Sequence, residues 1–212
     1  MTHLLCFGDS ITRGENDARY GGWADRLKTY FIKDFLKEQQ NEVCVFNLGI
    51  GGESTNGLKN RFENEFNCRR LNAENEQTII TIAYGANDLA ISNSNYTVSA
   101  ADFSLNIQEC IKYALQKNAK VILINILPIV DSEPKKHPKR RKPEDIEEYN
   151  NLIHQLSENL NIPYIDVFSL FNKSKEKFLT SDGIHPNSKG HKLLYKTIKK
   201  QILKEVSNKK FD

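Results

Sequence analysis

Four short segments hold the residues of this chain best suited to chemistry: Gly8-Asp9-Ser10, residues 47–53, Gly85-Ala86-Asn87-Asp88 and Asp182-Gly183-Ile184-His185-Pro186. A serine hydroxyl is a poor nucleophile until a base takes its proton, and histidine is the usual base because it titrates near neutrality. Of the five histidines, His3 precedes the first apolar run, His137 lies in a basic stretch, and His154 and His191 fall inside helical patterns. His185 stands in a loop, with Asp182 three residues before it and Gly183 between them to let both side chains turn the same way. A carboxylate on Nδ1 fixes the ring tautomer and steadies the imidazolium formed during attack. Ser10 is therefore the candidate nucleophile, His185 its base and Asp182 the orienting acid. Attack on a carbonyl also needs donors around the developing oxyanion. Gly51-Gly52 offer backbone N–H groups, and Asn87 offers a side-chain amide. With His185 as base, activity should rise with pH as the imidazole gives up its proton.

The elements that must position these residues are legible as an alternation. Continuous apolar runs rich in β-branched residues at 4–7, 43–48, 78–84 and 121–127, and a weaker one at 163–168, predict strands covered on both faces. Amphipathic stretches at 22–37, 100–117, 143–160 and 188–206 predict helices between and after them. A β-α-β-α order implies a parallel sheet with right-handed crossovers, hence an α/β sandwich. Ligands of such sheets bind beyond the carboxyl ends of the strands. The first three chemical segments and the 128–143 loop each follow a predicted strand, so they converge on one edge.

Rival readings of the same residues are weaker. Ser54 lacks the second glycine of a Gly-x-Ser-x-Gly elbow and suits the cap of a following helix. Asp182 and His185 have no third ligand at metal-site spacing. Gly49, Gly51 and Gly52 do not have dinucleotide-loop spacing. Asp9 and Asp88 are expected to brace their loops, and Tyr20 and Trp23 to pack. The run 135–142 (Lys-Lys-His-Pro-Lys-Arg-Arg-Lys) reads either as a solvated loop or as a border of the site that favours anionic substrates. A non-catalytic nucleotide- or nucleic-acid-binding module using that run is the rival from another class.

The four segments, in order and spread over nearly the whole chain, resemble the sequence blocks of the SGNH hydrolases, also called the GDSL esterase/lipase family. Gly8-Asp9-Ser10, continuing Ile11-Thr12-Arg13-Gly14, resembles the first block; 47–52 the second; Gly85–Asp88 the third; and Asp182–Pro186 the last. The resemblance implies a three-layer α/β/α sandwich with a flavodoxin-like parallel sheet of strand order 2-1-3-4-5. It implies a catalytic triad of Ser10, Asp182 and His185, and an oxyanion hole of Ser10 N–H, Gly52 N–H and the Asn87 amide. It implies hydrolysis of a small-molecule ester or thioester through an acyl-enzyme on Ser10, with no metal and no cofactor. Esterase, thioesterase, lysophospholipase and carbohydrate acetyl esterase activities all fit that description. Pro128-Ile129-Val130 departs from the double proline of many relatives, which affects the loop there and not the four blocks.

Composition sets the frame. The chain has 212 residues, 39% hydrophobic and 27% charged, as in a soluble globular protein, and 1–212 reads as a single domain. A net charge of +3 is too small to argue for nucleic acid. No stretch is apolar for the roughly 20 residues that span a bilayer, so no membrane span is expected. The N-terminus reaches Asp9 too soon for a signal peptide, which gives a cytoplasmic expectation. The four cysteines lack CxxC spacing, and Cys6 and Cys44 are expected to be buried reduced thiols.

Overall fold

The apolar runs form parallel strands because both faces of each can be buried, and the amphipathic stretches supply the cover. The computed structural model describes residues 1–130 and 140–207. The first half runs β1 (Thr2–Gly8), α1 (Ser10–Arg13), α2 (Gly22–Glu38), β2 (Val43–Gly49), α3 (Thr55–Asn67) and β3 (Gln77–Ala83). A small hairpin follows, β4 (Ile91–Ser92) and β5 (Asn95–Tyr96), then α4 (Ala100–Gln116) and β6 (Lys120–Ile124). The chain continues with α5 (Pro143–Leu160), β7 (Tyr164–Ile165), α6 (Phe168–Asn172), α7 (Lys175–Phe178) and α8 (Ser188–Ser207).

The main sheet has the order β2-β1-β3-β6-β7 with every pair parallel. Without the hairpin strands this is 2-1-3-4-5, the flavodoxin-like order that the family resemblance implies. Side chains alternate across β1. Leu5 and Phe7 join Phe62 of α3, Phe103 and Ile107 of α4 and Tyr149 of α5 in one core. Leu4 and Cys6 join Trp23 and Leu27 of α2 and Leu194 and Ile198 of α8 in the other. Two cores on opposite faces of one sheet make three layers.

The differences from expectation have local causes. The run at 121–127 is strand only to Ile124, because side-chain amides replace the ladder beyond it. Asn150 of α5 accepts from Ile126 N at 2.8 Å and donates to Ile126 O at 3.1 Å. Asn125 Oδ1 accepts from Val167 N and Phe168 N, which cuts the fifth strand to two residues and turns the chain into α6. Helix α3, expected only as the helix that Ser54 would cap, is absent from the amphipathic stretches, although Leu58, Phe62 and Phe66 recur every four residues and are buried. The hairpin turns on Asn93 and Ser94, both at positive φ. Cys44 is only half-buried because β2 is an edge strand, whereas Cys6 on central β1 is fully buried. Trp23 packs as expected, but Tyr20 is exposed under the Arg26 guanidinium, 4.2 Å from its ring centre. Among the described residues, no helix is long and apolar enough to cross a membrane.

Candidate active site

Each candidate residue stands where a strand ends or α8 begins. Asp9 leaves β1 and accepts from Ile11 N through Oδ1 at 2.9 Å, so it caps α1 and braces the turn, with Ser10 as the first helical residue. The turn after β2 lies directly on this short helix. A Cβ on Gly49 would sit 2.2 Å from Arg13 N, so only glycine allows that approach. Gly52 holds φ +76, a conformation that favours glycine. On the far side, Asn187 Oδ1 caps α8 by accepting from Lys189 N and Gly190 N, which fixes the loop that carries His185.

Ser10, Asp182 and His185 form one hydrogen-bonded chain. Ser10 Oγ lies 2.8 Å from His185 Nε2, and His185 Nδ1 lies 2.7 Å from Asp182 Oδ2. The other carboxylate oxygen accepts from Thr180 Oγ1 at 2.7 Å, Ile184 N at 2.8 Å and His185 N at 3.0 Å. Burial alone would raise the pKa of Asp182. The Thr180, Ile184 and His185 donors outweigh it and hold the carboxyl well below its usual range. Three of the remaining histidines are occupied elsewhere. His3 Nδ1 meets Arg69 O, His191 Nε2 meets Glu15 O, and His154 faces Glu158. His137 lies outside the described residues.

Ser10, Gly51, Gly52, Asn87 and His185 line a single cleft of about 270 Å³. Asn87 is nearly buried, with Nδ2 3.1 Å from Glu53 O and 3.4 Å from Asp9 Oδ2. Asp88 braces a different junction: its Oδ1 accepts from Thr55 N and Thr55 Oγ1 at the start of α3. Ser54 occupies the N-cap position as expected but makes no side-chain cap bond, since Asp88 supplies the acceptor. Burial pushes both Asp9 and Asp88 up to about 6, against the hydrogen bonds they accept. Asp88 Oδ2 is buried with no partner, which favours the protonated form.

A stability prediction follows for Asp88. An acid whose folded pKa is raised binds its proton more tightly when folded. Its contribution is therefore complete below the unfolded value of 3.8 and is lost as pH rises through about 6. Asp88→Asn keeps Oδ1 and removes the titration. Relative to the variant, wild type should lose up to about 3 kcal/mol between pH 4 and 7.5. Urea unfolding of both proteins across that range measures it, and a pH-independent difference would refute the raised pKa.

Several residues of the site are missing from the sequence-based set. Glu53, Arg61 and Tyr84 clamp the second loop: Arg61 Nη2 donates to Glu53 Oε2 at 2.7 Å and to Leu48 O at 2.7 Å, and Tyr84 Oη donates to Glu53 Oε2 at 2.6 Å. Glu53 precedes the N-cap of α3 and Arg61 lies within the helix, so their separation of eight residues carried no helical-pair signal in the sequence. Of the basic run, 135–139 lie outside the described residues. Arg140 pairs with Ile91 in a β-bridge, and Arg141 is buried at 7% exposure in the wall of the cleft that Ser10 and His185 line. The solvated reading thus fails at Arg141.

A sequence model of the GDSL-like lipase/acylhydrolase family matches residues 6–193. The chain belongs to that family. As a GDSL-like acylhydrolase it is a carboxylic ester hydrolase, which sets aside the non-catalytic binding module. The fold is similar to that of a lipase/acylhydrolase from Enterococcus faecalis at 27% identity and TM-score 0.74, with 95% of each chain covered. It is similar to a GDSL-like lipase from Bacteroides thetaiotaomicron at 21% identity and TM-score 0.67, covering 96% of this chain and 88% of that one. An acetylxylan esterase from Geobacillus stearothermophilus shares the fold of this acylhydrolase at 19% identity and TM-score 0.71, with 94% and 93% covered. Comparison with curated proteins finds no match.

Proposed function

We propose that this GDSL-like acylhydrolase cleaves short-chain esters through an acyl-enzyme on Ser10, as one domain over 1–212. His185 Nε2 takes the Ser10 proton as Oγ attacks the carbonyl carbon. The oxyanion is met by Ser10 N–H, Gly52 N–H and Asn87 Nδ2. His185 then protonates the leaving alcohol, and water repeats the sequence on the acyl-enzyme. The observation that carries this reading is the unbroken chain from Ser10 Oγ through His185 to Asp182, with contacts of 2.8 and 2.7 Å.

The preference for a short acyl group rests on the cleft. Its 270 Å³ is below the roughly 300–1,000 Å³ of sites that enclose drug-sized ligands. Its larger apolar side chains are Ile11 and Ile184, and most of the rest of its lining is polar or glycine. A series of p-nitrophenyl esters from acetate to dodecanoate tests this. We expect kcat/KM to be highest at two to four carbons and to fall steeply beyond six. A maximum at eight or more carbons would instead support a lipase or lysophospholipase. An organophosphonate should add its mass at Ser10 of the wild type; labelling at another residue would refute the nucleophile.

A further inference from the structure

We propose that Arg141 is a positioning residue for ester hydrolysis: it sets and holds the amide of Asn87 so that Nδ2, and not Oδ1, faces the oxyanion. This deepens the reading above and rests on it.

The geometry begins in the backbone. Ile91 N donates to Arg140 O at 2.8 Å, and Arg140 N donates to Ile91 O at 3.1 Å. This bridge clips the segment before α5 onto the polypeptide that carries Asn87, four residues upstream. It also aims the next side chain inward. Arg141 Nε donates to Ala86 O at 2.5 Å, and Nη2 donates to Asn87 Oδ1 at 3.0 Å. One planar fork thus grips the backbone carbonyl before Asn87 and the side chain of Asn87 itself.

A guanidinium has donors only. The amide atom it meets at 3.0 Å must therefore be the oxygen, which turns Nδ2 to the opposite side. There one N–H is spent on Glu53 O at 3.1 Å, while the contact with Asp9 Oδ2 is long at 3.4 Å, so the second N–H is the one available to a ligand. Without Arg141 nothing holds Oδ1, and the amide is left with Nδ2 on the Glu53 carbonyl and, at longer range, on Asp9 Oδ2. The guanidinium also draws electron density toward Oδ1, which makes Nδ2–H a stronger donor.

The energetics argue that Arg141 is not there as ordinary packing. It is 7% exposed, and burial outweighs the through-space attraction of the Asp9 and Asp182 carboxylates. Burying such a cation opposes folding. A position filled only for packing would be served as well by methionine or leucine.

The test is a double-mutant cycle on p-nitrophenyl acetate. Asn87→Ala should lower kcat by about 10²–10³, the usual loss of one oxyanion donor. Arg141→Met should lower kcat by about ten- to hundredfold with KM nearly unchanged, since a lost charge-assisted hydrogen bond is worth that much. Arg141→Lys keeps the charge and one donor and should recover part of the loss. In the Asn87→Ala background either Arg141 substitution should cost about threefold or less, because nothing remains to position. If Arg141→Met does not fold, the cycle is run with Arg141→Lys alone. Equal losses in both backgrounds would overturn the proposal, since Arg141 would then act independently of Asn87. Full kcat in the single Arg141 variants would overturn it while leaving the oxyanion assignment standing. Full kcat in Asn87→Ala would overturn that assignment and the proposal with it.

Discussion

Replacing Ser10 by alanine should lower kcat/KM by roughly 10⁴–10⁶ while leaving the melting temperature within about 2 °C of wild type. The size of the loss follows from what remains. In the proposed mechanism Gly52, Asn87 and the Ser10 backbone N–H would still bind and polarise an ester, so catalysis would fall toward the level an oxyanion hole supplies alone. The small effect on stability follows from position. Ser10 is only partly buried, and its hydroxyl bonds to His185 Nε2 inside an open cleft, so its removal strands no buried polar group. Its place in α1 is held by Asp9, whose carboxylate caps the turn. Steady-state hydrolysis of p-nitrophenyl acetate with a thermal melt checks both halves. Activity within tenfold of wild type would exclude Ser10 as the nucleophile.

The triad and its supports were not equally legible in the sequence. Ser10, Asn87, Asp182 and His185 could be read because each follows a pattern that a linear chain displays: a polar loop after an apolar run, or an Asp three residues before a His. Asp9 could be read as a brace for the same reason, its partner being two residues away. Arg141 could not. Its role depends on a contact 54 residues away in sequence, and its own neighbours are lysines and arginines. In a linear reading a basic run means solvent, because charge is costly to bury. The fold overrides that at one residue by supplying two carbonyl-type acceptors. The clamp of Glu53, Arg61 and Tyr84 was no more legible: Glu53 precedes α3, Arg61 reaches back to it from within the helix, and Tyr84 joins them from another strand end. The strands shortened at Ile124 and Ile165 show the same limit. Apolarity predicts burial correctly through Leu127 and Val167, but Asn125 and Asn150 decide where the ladder stops.

Asp182→Asn should cost about 10⁴ in kcat, more than any oxyanion-hole variant, and the reason lies in the count of donors. The Asp182 carboxylate accepts four hydrogen bonds, three on Oδ1 and one on Oδ2 from the imidazole. Asparagine can keep its oxygen toward the three donors, so the loop retains its shape. Its NH₂ group then faces His185 Nδ1, which must become an acceptor. The ring proton moves to Nε2 and points at Ser10 Oγ, and an imidazole in that tautomer cannot take the serine proton. The stability consequence has the opposite pH sense to that of Asp88. Because its folded pKa is depressed, ionised Asp182 contributes stability above the unfolded value of 3.8, and that contribution is lost as pH falls through the folded value. The destabilisation of the variant should therefore be nearly constant from pH 6 to 8 and shrink only in acid. A kcat within tenfold of wild type, with the loop intact, would mean that His185 is oriented by something other than this carboxylate.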